Sequence, residues 1–551
     1  MPVGPVPDWA LQVGVILAVF LSGLLISRLD GEPWRRHLRT RLLLGVPFGT
    51  LTVCLMLVGV YLVVQRGIAH PNAPVVVAFR AWSYFYPLGM VFAGLAHANP
   101  GHLLGNLLGT IVLGSFAEYA YGHYPRRRGT SSFGSFRTNP YARAFLFVPG
   151  AAVVAAFVTS LLSWGPVIGF SGVVFAFVGF ALVRYPVGAV IAFVAQRVVR
   201  TVVSALQDPV LVAKAEPSFG PPWWAGISIQ GHLLGLFLGI LVGILLLRRD
   251  GGETHPVPTA GRLWGASMVL ATSLSLWALW WFRGGSTYVL YRGPGVVFVI
   301  VLALGITLAV RGAISDRAVR EGFRYRDAAV LLVVFPVLVV GIAAVPLNFT
   351  TVADAASPGE GPPAEVGDYS VTYAENVTNE MVSVVNLTVF GETTRVNTSG
   401  AIVISERRHL WTRSLSKGRL AFRGNGSVVV GGLGWRESVD FSREGWSVNG
   451  TPAYVVSMRP PDGQWRHAYS SDPVTAEPVL DGRNVTVVPT ADGFELAIAR
   501  RGSELARTNL PPTNETVRAG GLRFTRDGDG LYARVNRTRV RLATQETYHS
   551  E

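Results

Sequence analysis

The sequence predicts a polytopic α-helical membrane protein that ends in a β-rich extracellular domain. Half of the 551 residues are hydrophobic and only 15% are charged, a composition typical of a chain with many membrane spans. Ten apolar segments of about span length lie before residue 348. Beyond that point, apolar and polar residues alternate with a period of two, which is the pattern of β-strands.

The apolar segments are predicted to be helices that cross the bilayer. A hydrocarbon core of about 30 Å requires about 20 apolar residues in helical form. The fifth segment is short and the sixth carries arginines, so these two fit the pattern least well. The predicted spans are 10–27, 42–64, 103–121, 144–163, 171–184, 187–206, 230–247, 265–282, 294–311 and 328–346.

Arginine is unevenly distributed among the predicted loops. It is concentrated after the first, third, seventh and ninth spans, so that the arginine-rich loops all fall on one side. Cytoplasmic loops carry the positive charge of membrane proteins. The pattern therefore predicts a multi-pass protein of the cell membrane, with its N-terminus and its C-terminal domain outside.

The net charge of +14 is explained by the same loops. Residues 348–551 contain 22 basic and 23 acidic side chains, which leaves 26 and 11 of the chain's 48 and 34 for the first 347 residues. The excess positive charge thus lies beside the spans, where membrane lipid is the expected partner and nucleic acid is not. A single cysteine, Cys54, excludes a disulfide within the chain.

The tail beyond residue 348 is rich in N-glycosylation sequons. Nine of its eleven asparagines begin an Asn-x-Ser/Thr triplet, whereas none of the four earlier asparagines does. One sequon is a weak signal, but this concentration predicts a glycosylated, outward-facing domain. The first sequon begins at Asn348, and the candidates within the domain are Asn376, Asn386, Asn397, Asn425, Asn449, Asn484, Asn514 and Asn536.

The tail is predicted to fold as antiparallel β structure, either a sandwich or two small sheets. Ser383–Phe390, Ala401–Ser405 and Tyr532–Leu542 alternate with a period of two between clusters of Gly, Pro, Asn and Asp. The segment Ala353–Gly367, rich in Pro, Gly and Glu, is predicted to be a flexible tether.

Three polar clusters lie at the predicted outer ends of spans: Gly169–Gly172 around a serine, Gly231–Gly235 around a histidine, and His97–His102, followed by Asn106. Each has a purely structural interpretation. A serine at a helix start is commonly a cap, glycines four residues apart pack helices closely, and polar side chains hydrogen-bond between spans.

Together the clusters predict a serine–histidine dyad. Ionisable residues within spans are costly and by default indicate function. No acidic residue lies near enough in sequence to complete a triad, so His232 is predicted to take the proton of Ser171 as the hydroxyl attacks a carbonyl. His102 and Asn106 are one helical turn apart, share a face, and can both donate hydrogen bonds to an oxyanion.

These motifs resemble those of the rhomboid intramembrane proteases. That family combines H-x4-H-x3-N on one helix, a later G-x-S-G, and a later histidine followed by G-x3-G. Glu118, followed by Gly122, is similar to the family's glutamate on the first of these helices, and the resemblance covers about residues 42–247. The matching positions are His97, His102 and Asn106, then Gly169, Ser171 and Gly172, then His232, Gly235 and Gly239.

The resemblance implies a role for each position. Ser171 is the expected nucleophile and His232 the expected general base, and His102 and Asn106 would form the oxyanion hole with the Ser171 backbone N–H. Phe175 stands where the family often has a tyrosine that stacks on the histidine. The residues expected to support the site are Gly169, Gly172, Phe175, Gly235, His97 and Glu118.

The resemblance also implies a domain organisation. An extra N-terminal span and a basic cytoplasmic loop occupy 1–41, a six-helix protease core 42–247, three additional spans 248–347, and the extracellular domain 348–551. The expected substrates are single-span membrane proteins, cut near the outer membrane face without a metal or other cofactor. In the first outer loop, about 65–96, Trp82 and Ser83 replace the family's usual Trp-Arg pair.

Two other functions compete with this prediction. One is a non-catalytic rhomboid-fold protein that binds or escorts transmembrane clients. The other is a transporter or a glycan-assembly protein, which would place charged substrate-binding residues in the additional spans; few are found there. The outer domain itself is predicted to recruit substrates or to attach to a cell-surface layer.

Overall fold

The computed structural model describes residues 7–29, 34–124, 129–211, 219–249, 257–315, 318–320, 323–349, 358–359, 361–383, 388–389 and 391–549. These residues form a helical bundle up to residue 349 and a β-rich region over 361–549. Seven of the described helices are long and apolar enough to cross a membrane, and Phe48–Val64 and Ser171–Arg184 are shorter apolar helices.

The connections between the helices of the bundle range in length from one residue to 22 residues. Three of them, α3, α5 and α6, each contain one wider π-helical turn. The helices are α1 (Asp8–Leu29), α2 (Trp34–Arg41), α3 (Phe48–Val64), α4 (Pro87–Phe92), α5 (Pro100–Tyr121), α6 (Pro140–Leu161), α7 (Ser171–Arg184), α8 (Pro186–Gln207), α9 (Ile229–Arg249), α10 (Ala260–Ser273), α11 (Arg292–Gly312), α12 (Tyr325–Ile342) and α13 (Val345–Phe349).

Helices α7 and α9 pack against each other at backbone distance. A Cβ atom on Gly235 would lie 1.9 Å from the carbonyl oxygen of Gly172, and one on Gly239 would lie 2.0 Å from that of Ala176. Only glycine fits at these two positions of α9, because any larger residue would force the helices apart. The contact places the first turns of α7 and α9 side by side.

A buried carboxylate fastens the opposite end of the bundle. Glu118, near the end of α5, is 2% exposed. It accepts hydrogen bonds from the backbone N–H groups of Gly49 and Thr50 at 2.9 and 2.7 Å, and from the Thr50 hydroxyl at 2.6 Å. His123 Nε2 lies 2.7 Å from Oε1 of Glu118, the oxygen that also accepts from Gly49. Glu118 therefore caps the first turn of α3 and holds it against α5.

The structure corrects the eighth predicted span, 265–282. Helix α10 ends at Ser273, and the chain then turns at Leu274–Trp277 and enters a hairpin of β1 (Trp280–Gly284) and β2 (Thr287–Leu290). The residues Trp280–Phe282 are apolar enough to continue the predicted span, so hydropathy alone did not distinguish the strand from a helix.

The β-rich region contains antiparallel sheets built around two cores. One four-stranded sheet has the order β10-β9-β6-β5, another has the order β15-β16-β17-β18, and the largest has eight strands. The strands from β5 on are β5 (Ala364–Val366), β6 (Tyr369–Thr378), β7 (Thr388–Val389), β8 (Glu392–Thr393), β9 (Asn397–Ser405), β10 (Leu410–Ser416), β11 (Asn425–Gly432), β12 (Trp435–Val448), β13 (Thr451–Arg459), β14 (Arg466–Ser470), β15 (Val474–Thr475), β16 (Arg483–Thr490), β17 (Gly493–Arg500), β18 (Ser503–Asn509), β19 (Thr516–Ala519), β20 (Leu522–Asp527), β21 (Gly530–Val535) and β22 (Thr538–Gln545).

Several shorter elements lie between the long helices and within the β-rich region. Between α11 and α12 the strands Ala318–Arg320 (β3) and Phe323–Arg324 (β4) pair, and the β-rich region contains two short helices, Glu380–Ser383 and Lys417–Arg423. The end of the predicted tether is not a tether, because Ala364 and Val366 are buried in β5. Residues 353–357 and 360 of that prediction, and 384–387 and 390 of the predicted strand Ser383–Phe390, lie outside the described residues.

The β-rich region packs on the loop between α3 and α5, here called the 65–96 loop. The contact between this loop and the region is called the mount. Val77, Trp82 and Tyr86 of this loop belong to the same hydrophobic core as strands β5, β6 and β9–β14. The loop and the β-rich region therefore share one hydrophobic core and do not meet across a hydrated interface. A second contact joins the β1–β2 hairpin to β8, where Arg283 pairs with Glu392.

Arg408 is the polar centre of this mount and is 7% exposed. Its guanidinium donates to both carboxylate oxygens of Asp368, at 2.5 and 2.8 Å, and to the Tyr86 hydroxyl at 2.6 Å. Its carbonyl accepts from Trp82 Nε1 at 3.2 Å. Partial burial by itself raises the pKa of Asp368, but the hydrogen bonds from Arg408 and Ser405 outweigh it and hold that pKa below its usual range.

We expect Arg408→Met to loosen the mount. The substitution leaves Asp368 and the Tyr86 hydroxyl without their partner in a buried setting, which costs about 3–5 kcal/mol. Hydrogen exchange should accelerate across residues 77–86 and in β6. The matched control is Arg407→Met, the exposed neighbour on the same turn. Equal exchange rates in the two variants would show that Arg408 does not hold the loop.

Candidate active site

Ser171 is the first residue of α7 and directly follows a turn that contains Gly169. Gly169 has a φ of +121°, a conformation that residues with a side chain rarely adopt. Phe170 follows as the N-cap residue and is fully buried. The hydroxyl of Ser171 makes its hydrogen bond outside α7, with a side chain of α9.

His232 in the first turn of α9 is the partner of Ser171. Its Nε2 lies 2.9 Å from Ser171 Oγ. The ring of Phe175, one turn after the serine, stacks on the imidazole with centroids 4.1 Å apart and planes 12° apart. Nδ1 of His232 is buried and has no hydrogen-bond partner among the described residues. The histidine is therefore oriented by an aromatic face, and no carboxylate in the described part of the chain takes that role.

His102 and Asn106 of α5 lie against the turn that precedes the serine. A Cβ atom on Gly169 would stand 2.5 Å from Cε1 of His102 and 3.5 Å from Nδ2 of Asn106. Only a glycine lets the turn approach the His102 ring this closely. Asn99 caps α5 and accepts from the His102 backbone N–H at 2.8 Å.

The two side chains of α5 can both donate. Nδ1 of His102 accepts from the Ala98 N–H at 3.5 Å, which leaves the proton of the neutral ring on Nε2, the nitrogen next to Gly169. Asn106 is 6% exposed, and its buried Nδ2 has no hydrogen-bond partner among the described residues. Such an unsatisfied donor is costly unless a ligand atom takes it up.

His97 lies behind His102. It is fully buried, its ring packs edge-on to that of His102 with centroids 5.3 Å apart, and neither of its ring nitrogens has a hydrogen-bond partner among the described residues. Its backbone is held by Gln65, whose Oε1 accepts from the His97 N–H at 2.8 Å and whose Nε2 donates to the His97 carbonyl at 2.8 Å. Sequence reasoning missed Gln65; a glutamine at the end of an apolar helix was the available signal.

The remaining predicted supporting residues fall into two groups. Gly172 and Gly235 lie at the contact between α7 and α9, and Gly172 also faces Thr159, whose side chain would be 3.1 Å from an added Cβ. Glu118 is not near the dyad. It lies sixteen residues after His102 on α5, about 24 Å along the helix axis, and its partners are at the start of α3.

The described candidate asparagines are on the surface of the β-rich region, whereas the sequon asparagine that precedes this region is buried. Asn348 is 2% exposed, and its amide donates to the carbonyls of Leu161 and Ser163 in the bundle, so the folded protein cannot be modified there. Asn386 lies outside the described residues. The exposed candidates are Asn376, Asn397, Asn425, Asn449, Asn484, Asn514 and Asn536.

The comparison with known proteins agrees with the architecture. Residues 82–249 match the family model described as Rhomboid domain. No curated protein and no solved structure matches the chain. Within the described residues, no group of three His, Cys, Asp or Glu side chains could hold a metal ion. The matched range includes the dyad, both α5 side chains and the helices that carry them. Residues 82–249 therefore form a Rhomboid domain, and the apolar helices fit a multi-pass membrane protein.

Proposed function

We propose that this protein is an intramembrane serine endopeptidase that cleaves single-span membrane proteins. The observation that carries the proposal is the 2.9 Å contact between Ser171 Oγ and His232 Nε2, at the abutting first turns of two helices. A nucleophile and a base at hydrogen-bond distance are the core requirement of serine hydrolysis.

The dyad supplies the proton transfers. As Ser171 Oγ attacks the carbonyl carbon of the scissile peptide, its proton passes to His232 Nε2 and the carbonyl electron pair moves onto oxygen. The imidazolium then protonates the leaving amine, and the C–N bond breaks to give an acyl-enzyme. A water molecule repeats the sequence with His232 as base and releases Ser171. Phe175 keeps the ring in plane through both stages.

Three donors surround the position where the negative charge develops. They are Nε2–H of His102, Nδ2–H of Asn106 and the backbone N–H of Ser171, the last at the N-terminus of α7, where the helix dipole favours an anion. The unsatisfied amide of Asn106 supports this assignment, because a tetrahedral oxyanion would provide the partner that it lacks.

The purely structural interpretation of Ser171 has less support. A capping serine would occupy the N-cap position and accept a backbone N–H of its own helix. Phe170 holds that position, and the Ser171 hydroxyl is turned toward His232 instead. A non-catalytic, client-binding rhomboid remains the alternative, and it has no need of a stacked, paired histidine at this point.

We also propose that the dyad faces the outside of the cell membrane, together with the β-rich region. The mount on the 65–96 loop puts this region at the bundle end where α7 and α9 begin. The arginine-rich loops lie at the other end, where the positive-inside rule expects the cytoplasm. The exposure of the seven described sequons in the β-rich region supports the same orientation.

The β-rich region is proposed to recruit substrates through their extramembrane parts. Its mount is directly continuous with the site, because Ala81, next to the shared-core residue Trp82, pairs with Val167 of the segment that leads to Ser171. The backbone N–H of Gly169 also donates to Ala93 of the same loop at 2.8 Å. A segment bound by the region is thereby held at a fixed place relative to the dyad.

The first prediction concerns the dyad. Purified protein in liposomes should cleave a tagged single-span substrate, and Ser171→Ala or His232→Ala should abolish the product, because each removes one partner of the proton transfer. Ser160→Ala is the matched control: it removes a buried serine of α6 that bonds only within its own helix. Cleavage by Ser171→Ala would identify another nucleophile, and no cleavage by the parent protein on several substrates would favour the client-binding alternative.

The second prediction concerns the oxyanion donors. Asn106→Ala should lower kcat by about 10²–10³ and change KM little, since the lost hydrogen bond forms only in the transition state.

Gly169→Ala provides an independent test of the same donors. The added methyl would press on the His102 ring and displace it, so kcat should fall. Gly165→Ala is the matched control, because Gly165 also has a positive φ, +83°, but open space around its Cβ position. An equal loss of kcat in both variants would attribute the effect to backbone strain and not to His102.

The third prediction concerns recruitment. Removing the extramembrane segment of a natural substrate, with its span intact, should raise KM about tenfold and leave kcat unchanged, because about 1.4 kcal/mol of remote binding is lost. Changing the substrate is preferable to deleting the region, since deletion would expose the core that Trp82 and Tyr86 share with it. Unchanged KM would contradict a recruiting role.

A further inference from the structure

A groove of about 920 Å³ runs along α7 between α6 and α9, at the membrane-embedded surface of the bundle. One end of the groove is at Val173, two residues after Ser171, and the other end is at Arg184. These residues are eleven positions apart on one helix, so the groove is about 16 Å long.

Small residues create the groove. Ala151 and Ala155 of α6, Ala176 of α7 and Gly239 of α9 line its walls, where larger side chains would fill the space. Val242, also on its rim, is 49% exposed, so the groove opens on the side of the bundle that faces lipid. Its apolar part is therefore lined by small side chains and accessible from the lipid side, as an extended hydrocarbon chain requires.

The end of the groove that is remote from the β-rich region is strongly basic. Among the described residues, five arginines line it against a single acidic residue, Glu118, which gives these side chains a formal net charge of +4. The carboxylate of Glu118 is already occupied by three hydrogen bonds from the start of α3 and one with His123. The five are Arg41, Arg137, Arg143, Arg184 and Arg249.

Two of these guanidinium groups are held in place by contacts with α5 and the residue that follows it. Arg143 lies over the ring of Tyr121 at 3.8 Å and donates to the carbonyl of Gly122 at 3.0 Å. Arg41 donates to the carbonyls of Tyr119 and Ala120 at 3.3 and 2.8 Å. These carbonyl oxygens orient the two guanidinium groups, so their position in the groove is fixed by the protein itself.

We infer that this groove binds an anionic phospholipid, with the phosphate among the arginines and one acyl chain along α7. Basic pockets between spans are the usual sites of anionic lipid headgroups. A net charge of +4 favours a headgroup with net negative charge over a zwitterionic one, and the apolar groove favours a lipid over a free phosphate. The bound chain would pack beneath the first turn of α7.

The test measures the thermal unfolding of the full-length protein in a neutral detergent. Three additives are compared: phosphatidylglycerol, phosphatidylcholine with the same acyl chains, and glycerol phosphate. Phosphatidylglycerol should raise the melting temperature in a saturable manner, whereas the other two should not. This readout does not depend on proteolysis, so it can succeed or fail independently of the proposed activity.

Two variants address the two halves of the site. Arg137→Gln combined with Arg249→Gln changes two exposed arginines, and should weaken the apparent affinity for phosphatidylglycerol by about fivefold for each charge. Ala151→Trp should fill the groove and remove the response. The matched controls are Arg262→Gln, an exposed arginine outside the groove, and Val154→Trp, an exposed position of α6 that does not line it.

The possible outcomes separate clearly. A response to phosphatidylglycerol that both site variants lose and both controls keep supports the inference. An equal response in all variants would place the lipid elsewhere and overturn it. Stabilisation by glycerol phosphate to the same extent as by phosphatidylglycerol would show a simple anion site, and would overturn the assignment of a lipid.

Discussion

The backbone contact between α7 and α9 is the constraint on which the candidate site depends. Ser171 and His232 are in separate helices, and neither can reach the other unless the helix axes nearly touch. Gly235 and Gly239 allow this approach, because a Cβ atom there would overlap the carbonyl oxygens of α7. The same proximity lets Phe175 reach the imidazole one turn further along. Packing by small residues and the chemistry of the site are thus two results of one contact.

A continuous series of contacts connects this site with the β-rich region. Tyr86 and Trp82 enter the core of that region, Ala81 pairs with Val167, and the turn through Gly169 leads to the serine. Each of these contacts is a hydrogen bond or a buried side chain. Arg408 is the polar centre of the contact between the loop and the β-rich region. The 65–96 loop therefore works as a structural bracket: it holds the region on one side and the serine turn on the other.

The sequence predicted the features that depend on local patterns. The long apolar spans, the family and the strands of the tail follow from hydropathy, motif spacing and alternation. Features that depend on partners distant in sequence were not predicted. Arg408 looks like one arginine among many until Asp368 and Tyr86 surround it, and Gln65 gains its role only where it meets His97. Asn348 carries a proper sequon, yet the bundle buries it.

The length of α7 has a consequence for the depth of the nucleophile. Fourteen residues give a helix of about 21 Å, some 9 Å less than a hydrocarbon core of about 30 Å. In the proposed orientation, with Arg184 near one boundary, Ser171 would not reach the other and would be recessed within the bilayer. Adding one residue to α7 would raise the serine by about 1.5 Å but turn it by about 100°, away from His232. Depth and catalytic register are therefore coupled, and the serine can change depth only in steps of about one helical turn.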